Sequence, residues 1–425
     1  MSDKPTSGGE GRRRKRVWAN RLVIPCALGA FAVVLAACGS SGGTKTGTTT
    51  KTTTTGAPYK VAIVSELTGA YANPTGVNVA AGAEAYFKQL NASGGVNGHP
   101  VDYGTPYDLQ GSETAGGAAF RQAISANPLA LIGYPSSNTA ASVESFLDSA
   151  NIPSLFAAGP DTWLGPPPKA WYFDTSTGIG THALAVTKEA GARLGGLKGK
   201  KVDIIGLQAV SVDEAIAVAE KEITSQGGTV GMVKRTPATQ VDYASETAAI
   251  AADHPDAVEQ YLVGPAVVTF SKELITAGFN GPDVSWSTGS GSSVIEAIAS
   301  ANFFSDRIGA EPSANNTLGK AAAAAGVTSQ ATTSDFATGY ESAAIVAKAL
   351  PACGAPQACT ASKLEAAIDN LAPLTVSGAF FGPMKFTSDD HFGQRTYEFF
   401  TYDLATKAVV EQGAGIVVNV SDIPK

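Results

Sequence analysis

Four histidines and four cysteines are spread thinly over 425 residues, and that scarcity removes several kinds of chemistry. His99, His182, His254 and His391 stand alone, and no His-Glu-x-x-His run places two of them on one helix face, so the zinc-hydrolase reading has no support. Cys26, Cys38, Cys353 and Cys359 lack metal-ligand spacing, and no Cys/His cluster accompanies them, so neither a metal nor a cofactor is expected. Nucleophile and phosphate motifs are missing too. Ser290 in Gly289-Ser290-Gly291 lacks the strand-to-helix frame of a nucleophile elbow. The Gly-Lys within Gly195–Lys201 lacks P-loop spacing and its Ser/Thr, and no Gly-x-Gly-x-x-Gly follows the first strand. The expectation is a protein that is not an enzyme, with a hydrolase assembled from distant residues as the alternative. Basic residues are scarce outside the N-terminus: seven of the 30 basic and two of the 37 acidic side chains precede Cys38, which leaves 23 against 35 and a net charge of −12 for the rest. An acidic body repels phosphate backbones, so nucleic acid is not an expected partner.

The basic residues that are present concentrate in Arg12-Arg13-Arg14-Lys15-Arg16, ahead of an apolar stretch from Leu22 to Ala37 broken only by Pro25 and Gly29. That stretch suits the apolar region of an export signal and falls short of the ~20 apolar residues of a membrane span. It ends in Leu35-Ala36-Ala37-Cys38, which resembles the bacterial lipobox, whose cysteine is acylated and becomes the new N-terminus. The alternative is cleavage at an Ala-x-Ala-like site with Cys38 incidental; the arginine run also hints at twin-arginine export. Residues 1–37 are therefore expected to be a lipoprotein signal. Residues 38–57, almost wholly Gly, Ser, Thr and Lys, are expected to be a flexible tether, because they hold too little apolar surface to offset ordering entropy. This implies an extracytoplasmic lipoprotein held at the cell membrane. Cys353 and Cys359 are close enough in Cys-Gly-Ala-Pro-Gln-Ala-Cys to close a disulfide, with two free thiols as the alternative.

From Pro58 onward short apolar runs alternate with helical stretches. Strands are expected at Lys60–Val64, His99–Tyr103, Leu129–Gly133, Ile152–Phe156, Lys201–Gly206, Thr229–Lys234, His254–Val258 and Asp283–Trp286. Helices are expected at Gly76–Leu90, Ser112–Ser125, Asn138–Ala150, Asp213–Gln226, Tyr243–Ala252, Ala266–Ala277 and Ser292–Ala299. Asn127-Pro128 and His254-Pro255 each break a helix before a strand, so the two halves echo one another. Alternation of this kind predicts α/β architecture with doubly wound parallel sheets, two lobes, and a ligand cleft at the carboxyl ends of the strands.

Several segments carry a resemblance. Val64-Ser65-Glu66-Leu67-Thr68-Gly69, the run from Leu90 to Pro100, Asp108-Leu109-Gln110-Gly111-Ser112, Leu131-Ile132-Gly133-Tyr134-Pro135-Ser136-Ser137, Ile152 to Ala158, and Val376 to Phe386 are similar to the leucine/isoleucine/valine-binding protein family. These are type I periplasmic binding proteins that serve branched-chain amino-acid ABC transporters. The resemblance runs from about Tyr59 to Val410. It implies two lobes joined by a three-segment hinge, with lobe 1 formed by residues 58–177 and 312–375 and lobe 2 by residues 178–311 and 376–425. The crossings are expected near Thr175–Thr181, Glu311–Ser313 and Thr375–Ser377. It further implies capture of an amino acid or a related carboxylate or amide, with an ABC permease in the cytoplasmic membrane as partner. A ligand sensor of the same fold is the alternative.

The resemblance places candidate ligand contacts at Tyr71, Thr75, Ser136, Ser137, Ala157, Ala158, Gly159, Gln208 and Thr288. Ser137 stands where its hydroxyl and the following helix N–H groups would meet an anion, or where it would only cap that helix. Two departures matter. Gly159 replaces the family's threonine, and Thr288 stands where the family's glutamate holds the ligand ammonium; a tyrosine is also missing, with Gln208 and Val212 nearby. Without a carboxylate a buried ammonium would stay unpaired, which puts a free amino acid in doubt unless Glu66 or Asp161 points inward. Trp163, Tyr71 and Trp286 are aromatic candidates for stacking on a ligand or for plain packing.

Overall fold

A computed structural model describes residues 56–157, 159–176, 178–287, 291–376 and 378–424. Cys38, the signal segment and the tether up to Thr55 lie outside the described residues, as do Ala158 and Thr288.

The first half builds β1 (Tyr59–Lys60), β2 (Ala62–Ser65), α1 (Val77–Ala92), β3 (Val101–Asp102), β4 (Tyr107–Asp108), α2 (Glu113–Ser125), β5 (Leu131–Tyr134), α3 (Ser137–Ala150), β6 (Ser154–Phe156) and β7 (Tyr172–Asp174). β2, β5, β6 and β7 are buried along their whole length, as their near-continuous apolar runs predict for a sheet covered on both faces. They form a parallel sheet in the order β4-β2-β5-β6-β7, while β1 and β3 pair separately.

The second half builds α4 (Ile179–Leu194), β8 (Lys201–Leu207), α5 (Val210–Ser225), β9 (Thr229–Thr236), α6 (Ala244–Asp253), β10 (Ala257–Tyr261), α7 (Pro265–Thr276), β11 (Asp283–Ser285), α8 (Ser292–Ile298) and β12 (Phe303–Arg307). Asn127 and His254, the residues before the two echoing prolines, both adopt left-handed backbone, with φ of 54° and 53°. The chain then forms α9 (Thr317–Ala325), α10 (Asp335–Cys353) and α11 (Ala361–Asp369), and α9 and α10 pack on α1 beside the first sheet. It ends with β13 (Thr396–Asp403), β14 (Ala408–Glu411) and β15 (Ile416–Val417) in the second sheet. That sheet runs β14-β13-β12-β11-β10-β8-β9, with β15 also on β13. It is parallel from β12 to β9, and β13 and β14 are antiparallel additions. The two sheets with their helices are the two lobes.

Past the third expected crossing the chain first lies against the segment after β12, where Ala310 N–H donates to Ala379 O at 2.7 Å, and then runs beside β7. Phe386 packs edge-on against Phe173, His391 Nδ1 meets Tyr172 O at 2.7 Å, and Gly393 N–H donates to Asp174 O at 3.0 Å. The chain enters the second sheet only at Thr396.

Helix α10 is the element on which the site depends most. Of its 19 residues, 15 are buried. It crosses α1 at backbone contact: a β-carbon on Gly339 would collide with Val79 O, and one on Gly82 would collide with Phe336 O. Gly339→Ala is therefore expected to force the helices apart and cost about 3 kcal/mol or more. A chemical denaturation curve within error of wild type would show that the crossing has slack. The bonded Cys353–Cys359 pair, with Cα atoms 5.0 Å apart, closes the loop after α10, and Tyr59 Oη donates to Gly354 O at 2.7 Å.

Candidate functional site

The loops that follow β2, β5, β6, β8, β10 and β11 converge between the lobes and enclose a small cavity of about 40 Å³. Strand ends are the expected place, because parallel strands present helix N-termini and free loops on that edge. Tyr71 and Thr75 contribute after β2, Tyr134, Ser136 and Ser137 at the end of β5, and Ala157 after β6. Ser176 lies just ahead of α4, and Ile179 and His182 in its first turn. The other lobe adds Leu207, Ala209, Ser211, Val212, Val263, Trp286 and Ser287, and α10 adds Asp335.

The lobes are in direct contact across this cavity. Ser137 Oγ donates to Ser211 Oγ at 2.9 Å, and Val210 N–H donates to Asn138 Oδ1 at 3.2 Å. Asp161 N–H donates to Glu214 Oε2 at 3.2 Å. So small a space holds roughly a few waters at most, and admission of any solute requires the lobes to part. Beyond the approach of Gly264 to Asn73, a groove of about 640 Å³ opens between α1, α7 and α8, and no ionisable side chain among the described residues lines it. The charged wall belongs to the smaller cavity.

Among the candidates from sequence, Tyr71, Thr75, Ser136, Ser137 and Ala157 lie on the cavity wall. Ser136, not Ser137, caps α3, accepting from Thr139 N–H at 3.4 Å; Ser137 is the first helical residue and bridges the lobes. Gly159 is off the wall, because the space a β-carbon would fill is taken by Tyr172 Oη at 2.5 Å. Gln208 is exposed and also off the wall, although its N–H donates to Thr236 O at 2.8 Å. Trp163 is fully buried against Trp171 and Tyr172, so it is packing, whereas Trp286 lines the cavity.

The two carboxylates expected to substitute for the missing glutamate are engaged elsewhere. Glu66 is fully buried and accepts from Ser136 N–H at 3.1 Å, Thr139 Oγ1 at 3.1 Å and Gly111 N–H at 2.5 Å. It occupies the positive end of α3. Asp161 does the same for α4, accepting from Ile179 N–H at 2.7 Å and Gly180 N–H at 2.6 Å. The carboxylate that does reach the cavity is Asp335, which accepts from Thr333 Oγ1 at 2.9 Å and is also bonded by the Thr75 side chain. Sequence reading misses it because no helical pattern declares itself there. The polar run Thr332-Thr333-Ser334, just ahead of an Ala-rich stretch, is the one available signal of a helix start.

His182 is buried, with Nε2 2.8 Å from Asp306 Oδ1 and 3.3 Å from Ser287 N, and its ring tilts against Trp286 and Tyr397. The Ser137 and Ser211 hydroxyls are bonded to each other rather than to this imidazole. Among the described residues, no group of three or more His, Cys, Asp or Glu could hold a metal ion, and no helix is long and apolar enough to cross a membrane.

Burial dominates the acids around the cleft. It pushes the Asp335 carboxyl up to about 6 against the Thr333 and Thr75 bonds, and Asp161 to about 6 against its two backbone donors. Burial first, then the Asp161 charge, pushes Glu214 up to about 7, and burial pushes Asp174 to about 7. Each binds its proton more tightly folded than unfolded. Their stabilisation is therefore complete below the ordinary carboxylate value near ~4 and is lost as pH rises through about 6 to 7. The melting temperature is expected to be higher at pH 5 than at pH 8; a net gain of only ~1 kcal/mol would read as about 2 °C in a chain this size. A melting temperature that rises with pH across that window would contradict the burial of these acids.

Comparison with known proteins agrees with this architecture. Residues 58–408 match the family described as periplasmic binding protein. A fatty acid ABC transporter substrate-binding protein from Thermomonospora curvata superposes with a TM-score of 0.74 at 19% identity, covering 87% of this chain and 97% of that one. A branched chain amino acid ABC transporter protein from Thermus thermophilus with bound valine gives 0.74 at 16% identity, covering 85% and 97%. A solute binding protein from R. palustris in complex with benzoate gives 0.69 at 18%, covering 85% and 98%. No curated protein matches the sequence. With strand-end loops of two α/β lobes closing on one cavity, and with most of its length matched, the chain belongs to the periplasmic binding protein family.

Proposed function

We propose that this protein is an extracytoplasmic receptor that captures a small solute between its lobes and passes it to an ABC permease. The observation that carries this reading is the cavity at the strand ends, sealed by bonds from one lobe to the other. Closure buries a ligand on all sides, so the closed form alone offers the full set of contacts. Cys38 supplies the lipid anchor, and the Gly/Ser/Thr run behind it supplies reach from the membrane. The moving bodies are residues 58–177 with 312–375 against residues 178–311 with 376–425. The ligand is a small polar molecule. Asp335 on the wall supports an amine on the ligand, in the role the missing glutamate would have had. Protein acceptors already occupy several of the facing helix N–H groups, which weighs against a bound carboxylate.

A thermal-shift screen against amines, amino acids, carboxylates, amides and sugars, paired with small-angle scattering, tests the capture reading. A ligand at a hundred times its Kd adds about 2.7 kcal/mol, which is a shift of several degrees. Recovery of a chemically altered compound would point to catalysis instead. A panel that changes neither melting temperature nor radius of gyration would remove the case for capture.

A further inference from the structure

We infer that the captured solute is a small organic cation, an amine or quaternary ammonium carrying no carboxylate; this narrows, and rests on, the capture reading above. The first ground is the charge of the wall. Among the described residues, Asp335 is the only acidic one on the wall and none on it is a lysine or arginine. The second is that several of the donors an anion would use are already engaged. At α3, Ser136 N–H is held by Glu66; at α4, Ile179 and Gly180 N–H are held by Asp161. At α5, Val210 N–H is held by Asn138 Oδ1 and Ser211 N–H by Ser137 Oγ. A carboxylate entering here would be desolvated beside Asp335 with no lysine or arginine among the described lining residues to receive it. The third is aromatic lining. Tyr71, Tyr134 and Trp286 surround the same space, and aromatic walls attract a desolvated cation that has no N–H to donate as well as one that has. The fourth is the net charge of −12 on the chain beyond Cys38, which draws cations toward the protein before they meet the cleft.

The test uses the full chain, with propylammonium, choline and tetramethylammonium as cations, leucine and glycine betaine as zwitterions, and propionate and benzoate as anions. Melting temperature at about pH 7.5, where a carboxyl near its raised value is ionised, and calorimetric affinity are read for wild type and Asp335→Asn. The expected result is a shift with one or more of the cations and none with the anions. The zwitterions should bind more weakly than their cationic counterparts, and affinity for the cations should fall about 100-fold or more in Asp335→Asn. A shift from an anion or zwitterion with none from a cation overturns the inference while leaving capture standing. Cation affinity unchanged in a folded Asp335→Asn overturns the role of the carboxylate. Silence across the whole panel overturns the cation assignment, and scattering that still shows the lobes closing on another solute separates that failure from failure of the capture reading. The wild-type comparison of cation with anion stands even if Asp335→Asn does not fold.

Discussion

A Ser137→Cys/Ser211→Cys double variant is expected to lock shut on oxidation and to stop exchanging solute. The two hydroxyl oxygens are 2.9 Å apart and belong to different lobes, Ser137 at the start of α3 and Ser211 in the first turn of α5. Their β-carbons are therefore within bridging reach, and the serine-to-cysteine change adds little bulk. In the native protein this contact is two neutral hydrogen bonds, each worth only about 1 kcal/mol, so thermal motion can break them and admit solute. A covalent bond removes that option. Oxidised protein should neither take up nor release a bound probe over hours, and reduction should restore exchange. Peptide mapping would confirm the 137–211 pair against the native 353–359 disulfide. If the crosslinked protein exchanged its probe as fast as the reduced form, solute would be entering without parting of the lobes, and the closure mechanism would be wrong.

Glu66→Gln is expected to be the most damaging near-isosteric change beside the cleft. Glu66 lies fully buried with both oxygens accepting: Oε1 from Ser136 N–H and Thr139 Oγ1, Oε2 from Gly111 N–H. An amide must turn its NH2 toward one of these donors in either orientation, which leaves a buried donor facing a donor. The loss of the negative charge also removes the counter-charge at the α3 N-terminus. Together these should cost about 3 kcal/mol or more, as for other broken buried networks. Glu66→Asp, which keeps the charge but shortens the reach, should recover part of it. Chemical denaturation of the three proteins is the measurement. A Glu66→Gln variant as stable as wild type would mean that the carboxylate is not what organises the loops carrying Ser136 and Gly111.

Much of the fold is legible in the chain order of apolar runs and stops. The strands β2, β5, β6, β8, β9, β10 and β11, and helices α1 to α3 and α5 to α8, fall within a few residues of where periodicity and Gly/Pro stops put them, whereas β4 and β7 are not among the expected strands. That legibility has a local cause: a short β-branched run needs only its own residues to declare itself, and the Gly94-Gly95 and Gly227-Gly228 stops act on the immediate backbone. Helices α4 and α10 are not legible in the same way. With 12 of 16 residues of α4 and 15 of 19 of α10 buried, neither shows a broad polar face, and a helix buried nearly all round carries no amphipathic period to read.

The site divides along the same line. Tyr71, Ser136, Ser137 and Ala157 stand next to recognisable strands, in segments that the family resemblance marks as ligand loops. Asp335 is far along the chain from all four. It reaches the same wall because Gly82 and Gly339 let α10 lie against α1 at backbone distance, a packing arrangement that no local window contains.

The alternation of strands and helices, the two-lobed class and the loops that face the cleft all follow from the order of residues, because each rests on short-range pattern and backbone stops. Which carboxylates cap helix ends and which one lines the cavity is set by the folded arrangement alone. Glu66 and Asp161 find backbone donors, while Asp335 is carried to the cavity wall by the close crossing of α1 and α10. The physical reason is that the fate of a buried charge depends on the donors that the whole fold brings within reach of it, and those lie far away along the chain.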